Sequence, residues 1–185
     1  IFAHLMQSIC KDNSNHEQYK ISLLILILKK YQYNIKLIQL NLPPYELKIS
    51  GTPDKLTVFD VLRKKFVALT PEERVRQYFI HYLIKYKNYP VTLLANEINL
   101  NIGNKQLRAD SVLYDKQLHP KMIIEYKAPE ISITQKVFNQ ITNYNMLLHV
   151  DYLIVSNGIS HYCCRMDYIK KTYMFLKEIP DYNNL

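Results

Sequence analysis

Three residues of this chain have the types and spacing for phosphoryl chemistry: Asp110, Glu125 and Lys127. Glu125 follows the apolar run Met122-Ile123-Ile124, which reads as a central strand covered on both faces. A carboxylate at the end of such a run is costly to bury unless a partner or a metal compensates it. Lys127 stands two residues further on, so alternation puts it on the same side of the strand as Glu125. Asp110 follows Arg108-Ala109 on the strand-like run before it. Two carboxylates converging at strand ends suit a hard cation such as Mg²⁺, which takes one or two carboxylates and keeps several waters for reaction. A lysine beside them can orient the attacking water and stabilise charge that develops on a phosphate. Metal-assisted hydrolysis of a phosphodiester fits this set. The competing reading is structural: Asp110 as a surface residue or a partner of Arg108, and Glu125 paired with Lys127 or Arg108.

The elements that must hold these residues can be read from periodicity and punctuation. Thr70-Pro71-Glu72-Glu73 opens a helix, with Thr70 as N-cap, Pro71 in the first turn and Glu73 at the capping-box position. Val75, Phe79, Tyr82, Leu83 and Tyr86 recur at helical spacing, and the helix ends before Pro90. Strand-like runs follow at 91–99, 107–114 and 121–127. Asn101-Ile102-Gly103-Asn104 turns between the first two, and Leu118-His119-Pro120 separates the second and third. A second helix is expected over 134–148, with Val137, Ile141, Tyr144 and Leu148 on one stripe. Residues 152–156 form another central strand, Asn157-Gly158 is a hairpin signal, and 159–166 and 173–179 extend the sheet. The order is α-β-β-β-α-β, an antiparallel meander feeding a crossover helix. Upstream, 37–42 reads as a short strand, 45–49 as an edge segment, and Gly51-Thr52-Pro53-Asp54 as a turn. A helix over 17–33 belongs to a segment, 1–36, whose pattern is not continuous with the rest. The expected division is therefore an N-terminal extension, 1–36, and one domain, 37–185.

Composition narrows the function classes. The chain has 185 residues, 48% of them hydrophobic, which argues for a globular domain. Its formal charge is +8, so a polyanionic partner is plausible; a biased base composition would also enrich Lys, Asn, Ile and Tyr. Residues 1–90 hold 14 Lys+Arg against 7 Asp+Glu, and residues 91–185 hold 10 against 9. Lys64, Lys65, Arg74 and Arg76 are candidate phosphate contacts, or simply a solvated basic face. Cys10, Cys163 and Cys164 give neither a disulfide framework nor zinc spacing; on a strand, Cys163 and Cys164 would place one thiol inside and one outside. A reducing cytoplasm fits. The histidines are scattered, which disfavours zinc. No glycine begins a phosphate-binding loop, so the chain carries no motor motif. The apolar run 21–28 is too short to span a bilayer. The chain opens on Ile1 rather than Met, which reads as a fragment or an uncertain start.

Asp110…Glu125-x-Lys127 within an α-β-β-β-α-β order resembles the PD-(D/E)xK nuclease superfamily. The wider pattern is similar to the N-terminal nuclease-like domain of type I restriction enzyme R subunits, particularly small stand-alone versions. The matching stretches are Leu69-Thr-Pro-Glu-Glu-Arg-Val-Arg-Gln77, Leu107-Arg-Ala-Asp110, Ile124-Glu-Tyr-Lys-Ala-Pro129, Gln140-x-x-x-Tyr144-Asn145 and Ser156-Asn-Gly-x-x-His-Tyr162, across residues 37–180. The departure is Ser111, where an aliphatic residue is expected.

The resemblance implies a restriction-endonuclease-like αβββαβ core, a mixed central sheet flanked by helices, that cleaves DNA with Mg²⁺ or Mn²⁺. Asp110, Glu125 and the Tyr126 carbonyl would ligate the metal, with Lys127 as the third catalytic member. Gln140 and Tyr144, four apart on one helix face, would support the site and contact the DNA backbone, although Tyr144 also fits the apolar stripe. Glu73 is a candidate to complete the metal shell as well as a capping-box residue. Glu97 is a further acidic candidate, or a strand-edge ion-pair partner. Implied partners are DNA and restriction-system subunits that supply motor or specificity functions; no membrane is implied. The alternative is a non-catalytic or partner-dependent DNA-binding module of the same fold. A tyrosine-rich structural protein fits the polar strand ends poorly.

Overall fold

The computed structural model describes residues 38–52, 54–102 and 105–185. The helix expected over 17–33, the apolar run 21–28, Cys10, Pro53, Gly103 and Asn104 lie outside the described residues.

The helix that opens at Thr70 is α1, Pro71–Tyr86. The Thr70 hydroxyl accepts from the Glu73 N–H at 3.0 Å, which satisfies one of the open donors of the first turn. The reciprocal half of the capping box does not form, because the Glu73 carboxylate turns instead to Arg63, Arg76 and Gln77. Val75, Phe79 and Leu83 are fully buried, whereas Tyr86, at the end of the expected stripe, is exposed.

Before α1 lies a three-stranded antiparallel sheet: β1 (Ile49–Thr52), β2 (Lys55–Asp60) and β3 (Lys65–Ala68). Residues 38–42 form no strand, and the expected edge segment 45–49 reaches strand geometry only at Ile49. After α1 come β4 (Leu94–Ile102), β5 (Lys105–Tyr114), β6 (Pro120–Tyr126), α2 (Gln135–Leu148), β7 (Tyr152–Ser156), β8 (His161–Asp167) and β9 (Thr172–Phe175). They make one mixed sheet in the order β4-β5-β6-β7-β8-β9. Only the β6–β7 pair is parallel, the others antiparallel. That follows from α2, since a parallel neighbour needs a crossover. The last strand ends at Phe175, four residues short of the expected 179.

The fold is thus a mixed α/β arrangement whose large sheet is covered on both faces. On one face Val75, Phe79 and Leu83 of α1 pack with Leu113, Met122, Ile124, Tyr126 and Ile154. On the other, Phe138 of α2 packs with Val112, Ile123, Leu153, Val155 and Cys164. This double cover corrects the expectation for the cysteines. Cys163 and Cys164 alternate across β8, but each side enters a core layer, so both are buried. Burial pushes each thiol up to about 12.

The Asn157-Gly158 hairpin joins β7 to β8 and anchors the segment that precedes β1. The Asn157 side chain accepts from the Ile159 and Ser160 N–H groups at 3.0 and 2.8 Å. The Gly158 carbonyl accepts from the Asn41 N–H at 2.7 Å. Gly158 has φ +81°, and a Cβ there would meet Leu40 Cδ2 at 2.7 Å and Val75 Cγ2 at 3.1 Å. Left-handed strain and a clash against the α1 face therefore act together. Gly158→Ala is expected to destabilise the fold by more than ~1 kcal/mol, measured as a lower midpoint in urea unfolding.

Candidate functional site

Asp110 and Glu125 are brought together where two strands part. The β5–β6 ladder runs from Leu113↔Met122 to Ser111↔Ile124, so one further step sets Asp110 opposite Glu125. No backbone pair forms there. Instead, Asp110 Oδ2 accepts the Tyr126 N–H at 2.9 Å, replacing a missing strand bond with a side chain. The Glu125 carboxyl lies against Asp110. Burial pushes its pKa up to about 8, the Asp110 charge adds to the rise, and the nearby Lys127 ammonium opposes it. Lys127 extends the strand, its N–H donating to the Ser156 carbonyl at 2.9 Å. Alternation sends Tyr126 to the α1 face, where its ring meets Phe79 at 5.8 Å, and places Glu125 and Lys127 on the side of Ile123.

On the α1 side, the partner of Asp110 is one the sequence reading missed. It is Arg76, not Arg108. Arg76 Nη2 lies 2.9 Å from Asp110 Oδ1, and its Nη1 lies 2.8 Å from Glu73 Oε2 and 2.5 Å from Glu97 Oε1. The guanidinium also sits over the Tyr126 ring, 5.6 Å from its centre. Arg76 is only 5% exposed, so it is no phosphate contact on a solvated face. Arg74 is also engaged, donating to the Ile38 carbonyl at 3.1 Å. Arg108 pairs with Glu97. Glu97 stands in the edge strand β4 with φ +59°, a strained conformation for a residue other than glycine. The ladder pairs Asn96↔Ser111 and Ile98↔Ala109 on either side, so Glu97 and Asp110 face each other across the one position where the pairing lapses.

The network continues to the small sheet. Glu73 Oε1 accepts from Arg63 Nη2 at 2.7 Å and from Gln77 Nε2 at 2.8 Å. Arg63 Nε bonds Asp60, which is fully buried. Burial alone would raise the Asp60 carboxyl, but the Arg63 and Asn96 hydrogen bonds and the Arg63 charge hold it below the usual range. A neutral relay closes the loop: the Tyr126 hydroxyl donates to Ser111 Oγ at 3.1 Å, Ser111 to Asn96 Oδ1 at 2.6 Å, and Asn96 Nδ2 to Asp60 Oδ2 at 2.8 Å. This gives the serine after Asp110 its role: an aliphatic side chain could not relay a hydrogen bond.

Gln140 and Tyr144 lie on α2, which covers the same face that alternation assigns to Glu125 and Lys127; their side chains lie outside those described. Among the described residues, no three His, Cys, Asp or Glu gather as a metal-ligand group. The donor set of Asp110 and Glu125 still fits a hard divalent cation, which needs no more than one or two carboxylates. The raised Glu125 pKa reflects burial first and the Asp110 charge second. No helix among the described residues is long and apolar enough to cross a membrane.

The family model "Type I restriction enzyme R protein N terminus (HSDR_N)" matches residues 71–180, more than half of the chain. The chain belongs to that family. A search of curated proteins finds no match. Among solved structures, the chain is similar to a fragment of a candidate HsdR subunit of a type I restriction enzyme from Vibrio vulnificus YJ016. That similarity has 19% identity and a TM-score of 0.43, covering 60% of this chain and 24% of the other. The chain therefore spans about a quarter of that fragment's length.

The Glu125 environment sets a pH dependence. Its folded pKa lies above its ordinary 4.5, so its contribution to stability is present below that value and is lost as pH rises through about 8. Glu125→Gln mimics the protonated form at every pH. In metal-free buffer, the variant should gain on the wild type by at least ~1 kcal/mol between mildly acidic and mildly alkaline solution, measured by urea unfolding across a pH series.

Proposed function

We propose that this chain is a restriction-endonuclease-like domain, with the αβββαβ core at 71–156, that hydrolyses DNA phosphodiester bonds with Mg²⁺ or Mn²⁺. The observation that carries this reading is the meeting of Asp110 and Glu125 where the β5–β6 pairing ends, with Lys127 beside Glu125. Family membership supports it independently.

In this reading Asp110, Glu125 and the Tyr126 carbonyl hold the cation. A bound Mg²⁺ or Mn²⁺ would polarise the scissile phosphate and lower the pKa of its water. The Tyr126 N–H fixes Asp110 Oδ2 and so aims the carboxylate before any ligand arrives. The Lys127 ammonium stabilises negative charge developing on the phosphate oxygens. Gln140 and Tyr144 on α2 serve as backbone-positioning residues. Glu73 acts indirectly, through Arg76. Lys64 and Lys65, exposed at the turn into β3, supply salt-sensitive phosphate attraction. The partners are DNA and, in a larger restriction assembly, subunits that supply the motor and the specificity that no motif here provides.

Incubated with duplex, single-stranded and branched DNA and Mg²⁺ or Mn²⁺, the protein should nick or degrade at least one form, and EDTA should stop it. Asp110→Ala and Glu125→Ala should each abolish cleavage while leaving binding intact or stronger, since each removes negative charge near phosphate. Lys127→Ala should slow cleavage by ~10²-fold or more and weaken binding slightly. Cleavage by Asp110→Ala at the wild-type rate would remove Asp110 from the site. A wild type that binds DNA in a salt-dependent way yet cuts no form would favour the non-catalytic binding module.

Charge reversal at Lys64 and Lys65 should weaken binding alike for every sequence and flatten its salt dependence. Titration of labelled duplexes at several salt concentrations measures this.

A further inference from the structure

We propose that Arg76 is a positioning residue for the Asp110–Glu125 site: its guanidinium orients the Asp110 carboxylate, and its charge limits how tightly that site holds a divalent cation. This rests on the metal reading above and says which residue tunes it.

Both oxygens of Asp110 are already engaged, Oδ1 by Arg76 Nη2 at 2.9 Å and Oδ2 by the Tyr126 N–H at 2.9 Å. A carboxylate has about four acceptor sites, so neither contact by itself prevents ligation. The two contacts differ in charge, however. The Tyr126 amide is neutral and local, whereas Arg76 brings a full positive charge into a setting where water screens poorly, since Arg76, Glu73 and Tyr126 are all nearly buried. A cation shared by Asp110 and Glu125 must be held against that charge.

Arg76 is not bound to Asp110 alone. It is also held by Glu73 and Glu97 through Nη1, so it keeps its place if Asp110 loosens. Its Nε is buried without a hydrogen-bond partner, as is Gln77 Oε1 one residue on. The cluster is therefore not saturated: it holds an unused donor and an unused acceptor. The consequence is reciprocal coupling: Arg76 weakens cation binding at Asp110, and a bound cation weakens the Arg76–Asp110 contact. A purely structural arginine would stabilise the fold without moving cation affinity.

The test is Mn²⁺ titration of the full chain, followed by electron paramagnetic resonance of free Mn²⁺, for wild type, Arg76→Met, Arg76→Lys and Asp110→Asn. Arg76→Met should bind Mn²⁺ at least ~10-fold more tightly than wild type. Arg76→Lys, which keeps the charge, should lie closer to wild type than Arg76→Met does. Asp110→Asn should bind at least ~10-fold more weakly. Unchanged or weaker affinity in folded Arg76→Met overturns the proposal and leaves the metal reading standing. If neither wild type nor Arg76→Met binds Mn²⁺, both readings fall.

A second measurement uses wild type alone, so the folding of variants does not enter. In a Mg²⁺ titration followed by NMR, the Arg76 Nε–H signal should shift with the same midpoint as the Tyr126 amide. A Tyr126 amide that shifts while Arg76 stays fixed overturns the proposal.

Discussion

The structure around the site depends on one buried cation. A guanidinium at 5% exposure is tolerable only if carboxylates surround it, because an uncompensated buried charge costs far more than the fold can spare. Arg76 obtains its three from three elements: Glu73 from α1, Glu97 from β4 and Asp110 from β5. This pins α1 to the edge half of the large sheet. Through Glu73 and Arg63 it reaches Asp60 at the end of β2, so the small sheet joins the same network. Breaking a buried arrangement of this kind by removing one partner typically costs ~3–5 kcal/mol. Arg76 therefore carries stability and site geometry together.

The same network sets the electrostatic surroundings of Asp110 and Glu125. Within the network, three arginines (Arg63, Arg76 and Arg108) face four carboxylates (Asp60, Glu73, Glu97 and Asp110). Glu125 adds a fifth carboxylate, with Lys127 opposing it. Where β5 and β6 separate, burial first and the Asp110 charge second raise the Glu125 pKa. The left-handed backbone at Glu97 and the lapse of pairing opposite Asp110 are the geometric counterpart. Both acidic residues leave the regular ladder to meet Arg76. Strain held by surrounding contacts is a recurring property of functional sites.

Much of this was legible in the sequence. The Thr70-Pro71 cap fixed the start of α1, the apolar run Met122-Ile123-Ile124 marked the central strand β6, and Asn157-Gly158 marked the hairpin after β7. The small sheet was hard to read because its strands are short and half exposed, and its apolar pattern alternates weakly in Lys-Leu-Thr-Val-Phe-Asp. The cysteines were misjudged because alternation gives two faces but not whether each is covered. The role of Arg76 was hidden because Glu73 and Arg76, three apart on a helix, look like an exposed pair. A signal was present: Glu73, Arg76 and Gln77 share three- and four-residue spacing with buried Ile80 and Leu83. Polar residues continuing an apolar stripe indicate a buried network, and its partners become visible only in three dimensions.

In the proposed site, Asp110 and Glu125 share one divalent cation. Diffraction from crystals grown with saturating Mn²⁺, recorded at the manganese absorption edge, tests it most directly. A single anomalous peak is expected within ligand distance (~2.2 Å) of both carboxylates and the Tyr126 carbonyl. An anomalous map with no peak there, and Asp110 still paired with Arg76 at full Mn²⁺ concentration, would contradict it.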